Sequence, residues 1–202
     1  MKKTKILFII VLFQISQMFA EQITIYKGEA YHFNEILSAM VKTEFSIKYD
    51  TEDKIYYFFS SDFMKKGWII LKEEQLNQFR LTLEKFNDWE AIAIKNKVEL
   101  EKEFPNSELN CKVSWYYVND WYHSTGTKMN FKFFSQSKTR HQFIISSNLV
   151  TSNSNQFIEY KLETFYLDKN QVNLFINGIS LSSIEQAKKK AQNNIEAKKL
   201  FN

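Results

Sequence analysis

The chain has 202 residues, 44% of them hydrophobic and 25% charged, close to the balance of an ordinary globular domain, which excludes long disorder and fibrous architectures. The departure from average is aromatic: 10 Tyr, 19 Phe and 4 Trp stand against 4 Gly and 1 Pro. With only 3 His and 1 Cys, the chain is short of the residue types that build metal centres, redox pairs and phosphate-cradling loops, so neither a metal nor a cofactor is expected.

The first twenty residues have the layout of a secretory signal. Lys2, Lys3 and Lys5 make a basic start, residues 6–13 are an unbroken apolar run, and Ala20 precedes Glu21. The run is too short to span a bilayer, and Gln14, Ser16 and Gln17 interrupt any extension. Residues 1–20 are therefore read as a signal peptide and residues 21–202 as one mature domain, exported to a periplasmic or extracellular location, with no integral membrane segment after cleavage. Loss of the three signal lysines lowers the formal net charge from +4 to +1, which removes the electrostatic basis for a nucleic-acid partner. The lone Cys111 excludes an intrachain disulfide, so burial alone must hold the fold. No Asn-x-Ser/Thr sequon occurs, which suits a bacterial source.

Along the mature chain, Phe33, Ile36, Leu37, Met40 and Val41 fall at helical spacing and predict a short helix over 33–41. Phe45, Ile47 and Tyr49 alternate, residues 50–53 turn, and the aromatic run from Lys54 to Ser60 completes a hairpin, followed by a short strand over 68–71. Leu76, Phe79, Leu83, Phe86, Trp89 and Ala93 mark a long amphipathic helix opened by Glu73 and Glu74 and closed by Pro105. Leu109, Cys111, Val113, Trp115 and Tyr117 then alternate as a strand, residues 119–127 read as a loop, and Met129, Phe131 and Phe133 as another strand. Residues 143–147 and 157–167 read as extended, and the turn 168–171 leads to a strand carrying Val172, Leu174 and Ile176. Ser182 and Glu185 match a capping box for a Lys-rich C-terminal surface helix. The expected fold class is α+β: a mostly antiparallel meander packed against the one long helix.

For chemistry, His32, His123 and His141 stand at no ligand spacing, and the Asp120/His123 pair offers too few ligands for a metal. Cys111 alternates in phase with the core face, where a thiol is a small apolar side chain rather than a nucleophile. Glu159 and Glu163 flank Lys161, the pattern of a solvated strand face, and no catalytic residue is assigned. The informative segment is 115–123. Tyr116 is out of phase with the strand's inward residues, and Trp121 and Tyr122 fall where a loop should be polar, beside Asp120 and His123. Flat aromatics beside Asn and Asp suit the stacking of sugars or the anchoring of a protein partner, because a rigid amphipathic ring buries much area at small entropic cost. The rival placement for Trp121 is a plug at the end of the sheet. The expected function is thus an exported, non-catalytic binding or interaction module for an unknown glycan or protein partner through Tyr116, Asp120, Trp121, Tyr122 and His123. An exported hydrolase with carboxylates from separate loops is the alternative. The intact mass of the exported protein should correspond to a chain beginning at Glu21; a membrane-bound form that retains Met1 would show an anchor instead.

Overall fold

The computed structural model describes residues 22–51, 53–61 and 66–199; the predicted signal segment and cut site lie outside the described residues. In chain order the elements are β1 (Gln22–Asn34), β2 (Ala39–Asp50), β3 (Tyr56–Ser61), β4 (Lys66–Leu71), α1 (Glu73–Asn96), β5 (Glu101–Glu103), β6 (Leu109–Tyr117) and β7 (Asp120–Ser137). There follow β8 (Arg140–Ser147), β9 (Val150–Thr151), β10 (Glu159–Tyr160), β11 (Phe165–Leu167), α2 (Lys169–Gly178) and α3 (Leu181–Lys199).

These strands do not form an open sheet with a helix on one face, so the α+β expectation is corrected. Their order is β7-β6-β4-β3-β2-β1-β11-β8, and β8 pairs again with β7, which closes an eight-stranded antiparallel barrel. Two features make closure possible. The 18 residues of β7 pair with β6 through the first half and with β8 through the second, from Met129↔Ser147 to Ser137↔Arg140. On the far side β1 meets β11 at a single bridge, Tyr31↔Tyr166, and α2 covers β1 where no strand does. Period-2 patterning marks which side chains face inward but carries no record of whether the two outermost strands meet.

Because neighbours are antiparallel throughout, the β1–β2 and β6–β7 turns and the 148–164 segment share one end of the barrel. The starts of α1 and α2 and the β7–β8 turn share the other. An eight-stranded barrel leaves an interior just wide enough for side chains to fill. Here the filling is aromatic. From α1, Phe79 meets Phe58 of β3 (6.2 Å between ring centres), Phe131 of β7 (4.7 Å) and Phe175 of α2 (5.2 Å). Phe86 packs on Phe133 and Phe143 in the same way. At the opposite end Trp115 stacks on Tyr160 at 5.4 Å, and Gly67 lies so close beneath that an added Cβ would fall 1.8 Å from the Tyr160 hydroxyl. Among the described residues, no helix is long and apolar enough to cross a membrane.

Four local expectations change as well. Residues 33–41 form the end of the β1–β2 hairpin, in register from Tyr26↔Ile47 to Asn34↔Ala39, not a helix. Nine residues are too few to sustain a helix alone, whereas the ladder continues one already anchored in the barrel. Asn34 Oδ1 accepts the Leu37 N–H to turn the chain, and Phe33, Ile36, Leu37 and Met40 stand exposed. The segment with Val172 is α2, because Asp168 and Gln171 make a reciprocal capping box: Gln171 N–H donates to Asp168 Oδ1 (2.9 Å) and Asp168 N–H to Gln171 Oε1 (2.8 Å). The turn chemistry was visible, but three residues of spacing make it a helix start. Finally α1 stops at Asn96, well before Pro105, with Lys97 in the left-handed region (φ 53°). The last helix opens at Leu181, where Ser180 Oγ, not Ser182, accepts the Ser183 N–H.

The predicted inward stripe of α1 is correct: Leu76, Phe79, Leu83, Phe86 and Ala93 are buried. Phe79→Ala should cost about 3–5 kcal/mol, as for any large aromatic removed from a filled interior, while Lys85→Ala, half-buried on the same helix, should cost about 1 kcal/mol or less. Urea midpoints compare the two, and equal shifts would mean that α1 does not fill the barrel.

Candidate functional site

With the interior occupied, the chemistry available to a ligand lies on the outer wall. Outward positions follow from the strand registers. Lys27 of β1 pairs with Ser46 of β2, Ser46 with Phe59 of β3, Phe59 with Trp68 of β4, Trp68 with Ser114 of β6, and Ser114 with His123 of β7. One row, curving with the barrel wall, therefore crosses six strands. On either side of it lie Thr24, Lys48, Tyr57, Ile70 and Lys112, and Glu29, Glu44, Lys66, Tyr116 and Trp121. Polar residues are the usual occupants of an outward face. Here the middle of it is aromatic.

Trp68 is the hub. Its ring meets Phe59 at 5.3 Å, Tyr57 at 5.2 Å and Trp121 at 6.0 Å, each nearly edge to face, and Trp121 continues to Tyr116 at 5.5 Å. Edge-to-face packing stabilises such rings by about 0.5–1.5 kcal/mol per pair beyond their burial, so the outward aromatics hold one another in place. Lys48 Nζ lies 4.9 Å from the Phe59 ring centre and 5.1 Å from that of Trp68. The Tyr57 hydroxyl is held above its ordinary pKa, first by burial and then by the nearby carboxylates of Asp50 and Asp53. Beside Phe59 the wall dips into a groove of about 350 Å³ lined by Thr24, Lys27, Glu44, Phe45, Ser46, Lys48 and Phe59. A register shift in β1 between Thr24 and Tyr26 accompanies the dip.

Of the five residues singled out from sequence, the structure joins three to this wall and separates two. Tyr116 and Trp121 pair across β6 and β7 and end the aromatic cluster, and His123 ends the row with Nδ1 2.7 Å from Ser114 Oγ. Tyr122 faces the other way, toward Trp115, and belongs to the barrel's interior end. Asp120 is used locally, accepting the N–H of Trp121 at 2.8 Å.

These residues stand on strands, since the loop expected over 119–127 is a continuous part of β7. The reversal takes only Val118 and Asn119, both left-handed (φ 47° and 66°), the two-residue turn whose twist matches that of the paired strands. Val118 is a poor residue for that conformation, which hid the turn. Trp121 is 45% exposed, so it is not the core plug.

Sequence reading missed Lys27, Lys48, Tyr57, Phe59 and Trp68. The signal available was the run Tyr56-Tyr57-Phe58-Phe59 in a two-faced strand: one alternate pair fills the interior and the other must then be aromatic on the outside.

Elsewhere the reactive types are committed to structure. Cys111 is buried on the inner face of β6, and its thiol is pushed up to about 12 by that burial, so it is not a thiolate at neutral pH. His32 pairs with Glu163, and His141 is buried against Phe133. Among the described residues no group of three His, Cys, Asp or Glu side chains is placed to hold a metal ion. No protein-family model, curated protein or solved structure matches the chain.

Two substitutions test this geometry. Trp121→Ala should cost about 1–2 kcal/mol, as befits a half-exposed ring with two aromatic neighbours. Val118→Asn should raise it by about 1 kcal/mol by relieving a β-branched residue held at positive φ. Thermal or urea unfolding measures both; a loss of about 3–5 kcal/mol on removing Trp121 would make it a core residue after all.

Proposed function

We propose that this chain is an exported, non-catalytic binding module that takes a glycan on the outer wall of its barrel. The observation that carries the reading is the junction at Phe59 and Lys48, where an aromatic cluster runs directly into a groove lined by hydroxyl and charged groups. A sugar has an apolar ring face and a polar rim, and it needs both surfaces side by side. Rings such as Phe59, Trp121 and Tyr116 cover the ring face, while Thr24, Glu44 and Lys48 offer donors and acceptors to the hydroxyls. A protein partner would use the aromatics as hot spots but has no evident need for the groove.

The test is binding of soluble oligosaccharides to the mature chain, followed by tryptophan emission and calorimetry. Phe59→Ala and Trp121→Ala should each weaken binding at least tenfold, about 1.4 kcal/mol, with urea midpoints shifted only modestly by the second. Unchanged affinity in both variants would remove the wall from the binding site. Release of new reducing ends during incubation would replace binding with hydrolysis.

A further inference from the structure

The end of the β1–β2 hairpin stands clear of the barrel. From Ala39 to Glu44, β2 pairs with β1 alone among the described residues, because its ladder with β3 begins at Phe45. Every residue from Glu35 to Met40 is exposed, and the tip is apolar. Ile36 is 93% exposed and Leu37 65%, while Phe33 and Met40 stand opposite each other across the two strands, also exposed. Turns are ordinarily polar, and four large apolar side chains gathered at one tip mark a surface that something covers. The tip is held in shape, since the Leu37 N–H donates to Asn34 Oδ1 at 2.9 Å. Between Phe33 and Val41 the one charged residue is Glu35, and among the described residues no cation lies within ion-pair distance of it.

A complementary surface lies at the opposite end of the barrel. After α1 ends at Asn96, the chain doubles back with the Val98 N–H on the Ala93 carbonyl and returns along β7 as β5, leaving a cleft of about 210 Å³ between helix and strands. Trp89, Ala93, Leu100 and Phe133 wall it, and the exposed Ile92 and Val98 form apolar lips. The cleft is smaller than the roughly 300–1,000 Å³ of small-molecule sites, so it suits the side chains of a narrow protein element. Among the described residues its lining holds one charged group, Lys102, and no acid. Glu101 and Glu103, the neighbours of Lys102 in β5, turn to Lys132 on the other face of the strand. Lys102 Nζ lies 5.5 Å from the Trp89 ring centre, and among the described residues it has no carboxylate within ion-pair distance. Phe133 pairs with Phe143 close to the β7–β8 turn, far from the β1–β2 turn, so a chain cannot seat its own hairpin in its own cleft.

An apolar projection with one acid and an apolar cleft with one cation, at opposite ends of one chain, match each other on two copies. We infer that this protein associates head to tail, the β1–β2 tip of one copy entering the α1–β5 cleft of the next, with Ile36 and Leu37 against Trp89, Ile92 and Ala93 and with Glu35 meeting Lys102. The contact is heterologous, so every dimer keeps one free tip and one free cleft, and the assembly either extends or closes as a ring. One hairpin tip in one cleft is a small interface, so the association is weak and depends on concentration.

Sedimentation velocity of the mature chain over a wide range of concentration reads the association, and urea midpoints verify that each variant folds. The unaltered chain should sediment faster as its concentration rises. Ile36→Gln/Leu37→Gln at the tip and Ile92→Gln/Val98→Gln at the lips should each weaken self-association at least tenfold. An equimolar mixture of these two double variants should form heterodimers and nothing larger, because one retains its cleft and the other its tip. Glu35→Lys or Lys102→Glu alone should weaken association, and the two together in one chain should restore it. A chain that stays monomeric at its highest concentration would overturn the inference, as would a mixture that gives no heterodimer. Association lost in the tip variant but kept in the lip variant would mean that two tips pair symmetrically, and the cleft would have no part in it. A paired charge reversal no better than either single one would overturn the Glu35 to Lys102 contact. If the chain stayed monomeric and neutral phosphatidylcholine vesicles bound it but not the tip variant, the tip would belong to a bilayer instead.

Discussion

Everything in this structure depends on filling the inside of a closed barrel with rings. Eight strands enclose a volume that must be occupied at near-crystalline density, and Phe58, Phe79, Phe131, Phe143, Phe165 and Phe175 occupy it from four strands and from the helices α1 and α2. Phe79 is where these contributions meet. Without α1 laid across one end, the strands would enclose an apolar void; without the strands, α1 would expose four large apolar side chains to water. Closure and capping are thus one cooperative event, and a disulfide is not needed to sustain it.

The same closure decides where ligands can act. In wider barrels the lumen is the binding site, but this lumen holds Trp115, Tyr160 and Leu162 at one end and the α1 side chains at the other. Recognition is displaced to the outside. There the antiparallel register does for the wall what packing does for the core: it puts Lys27, Ser46, Phe59, Trp68, Ser114 and His123 in one row, although they span nearly a hundred residues of sequence. Trp68 has the central place, in ring contact with Tyr57, Phe59 and Trp121 and with the Lys48 ammonium over its face. Its mutual packing with Tyr57 and Phe59 keeps the wall rigid, and rigid aromatics lose little entropy when a partner arrives.

The sequence alone determined a good deal. The 3.6-residue recurrence from Leu76 to Ala93 dictated α1 and its buried stripe, because an apolar stripe of that length has only one way to hide. Alternation over Leu109 to Trp115 and Met129 to Phe133 dictated strands with a known inner face, Cys111 included. It also singled out Tyr116 and Trp121 as aromatics that the interior did not claim. What only the tertiary structure decided was whatever depends on a distant partner. The apolar pattern at 33–41 fits a helix locally, yet it is a hairpin because β2 supplies a ladder. Tyr122 turned inward and Asp120 to its own backbone because a two-residue turn at Val118 and Asn119 set the phase of β7, and no glycine announced that turn. Barrel closure itself rests on β7–β8 pairing and one bridge between Tyr31 and Tyr166, contacts across more than a hundred residues in the latter case. Periodicity reports the environment of each residue along its own element; it holds no information on which element lies next to it, and that is what makes a wall of separate aromatics and lysines into a site.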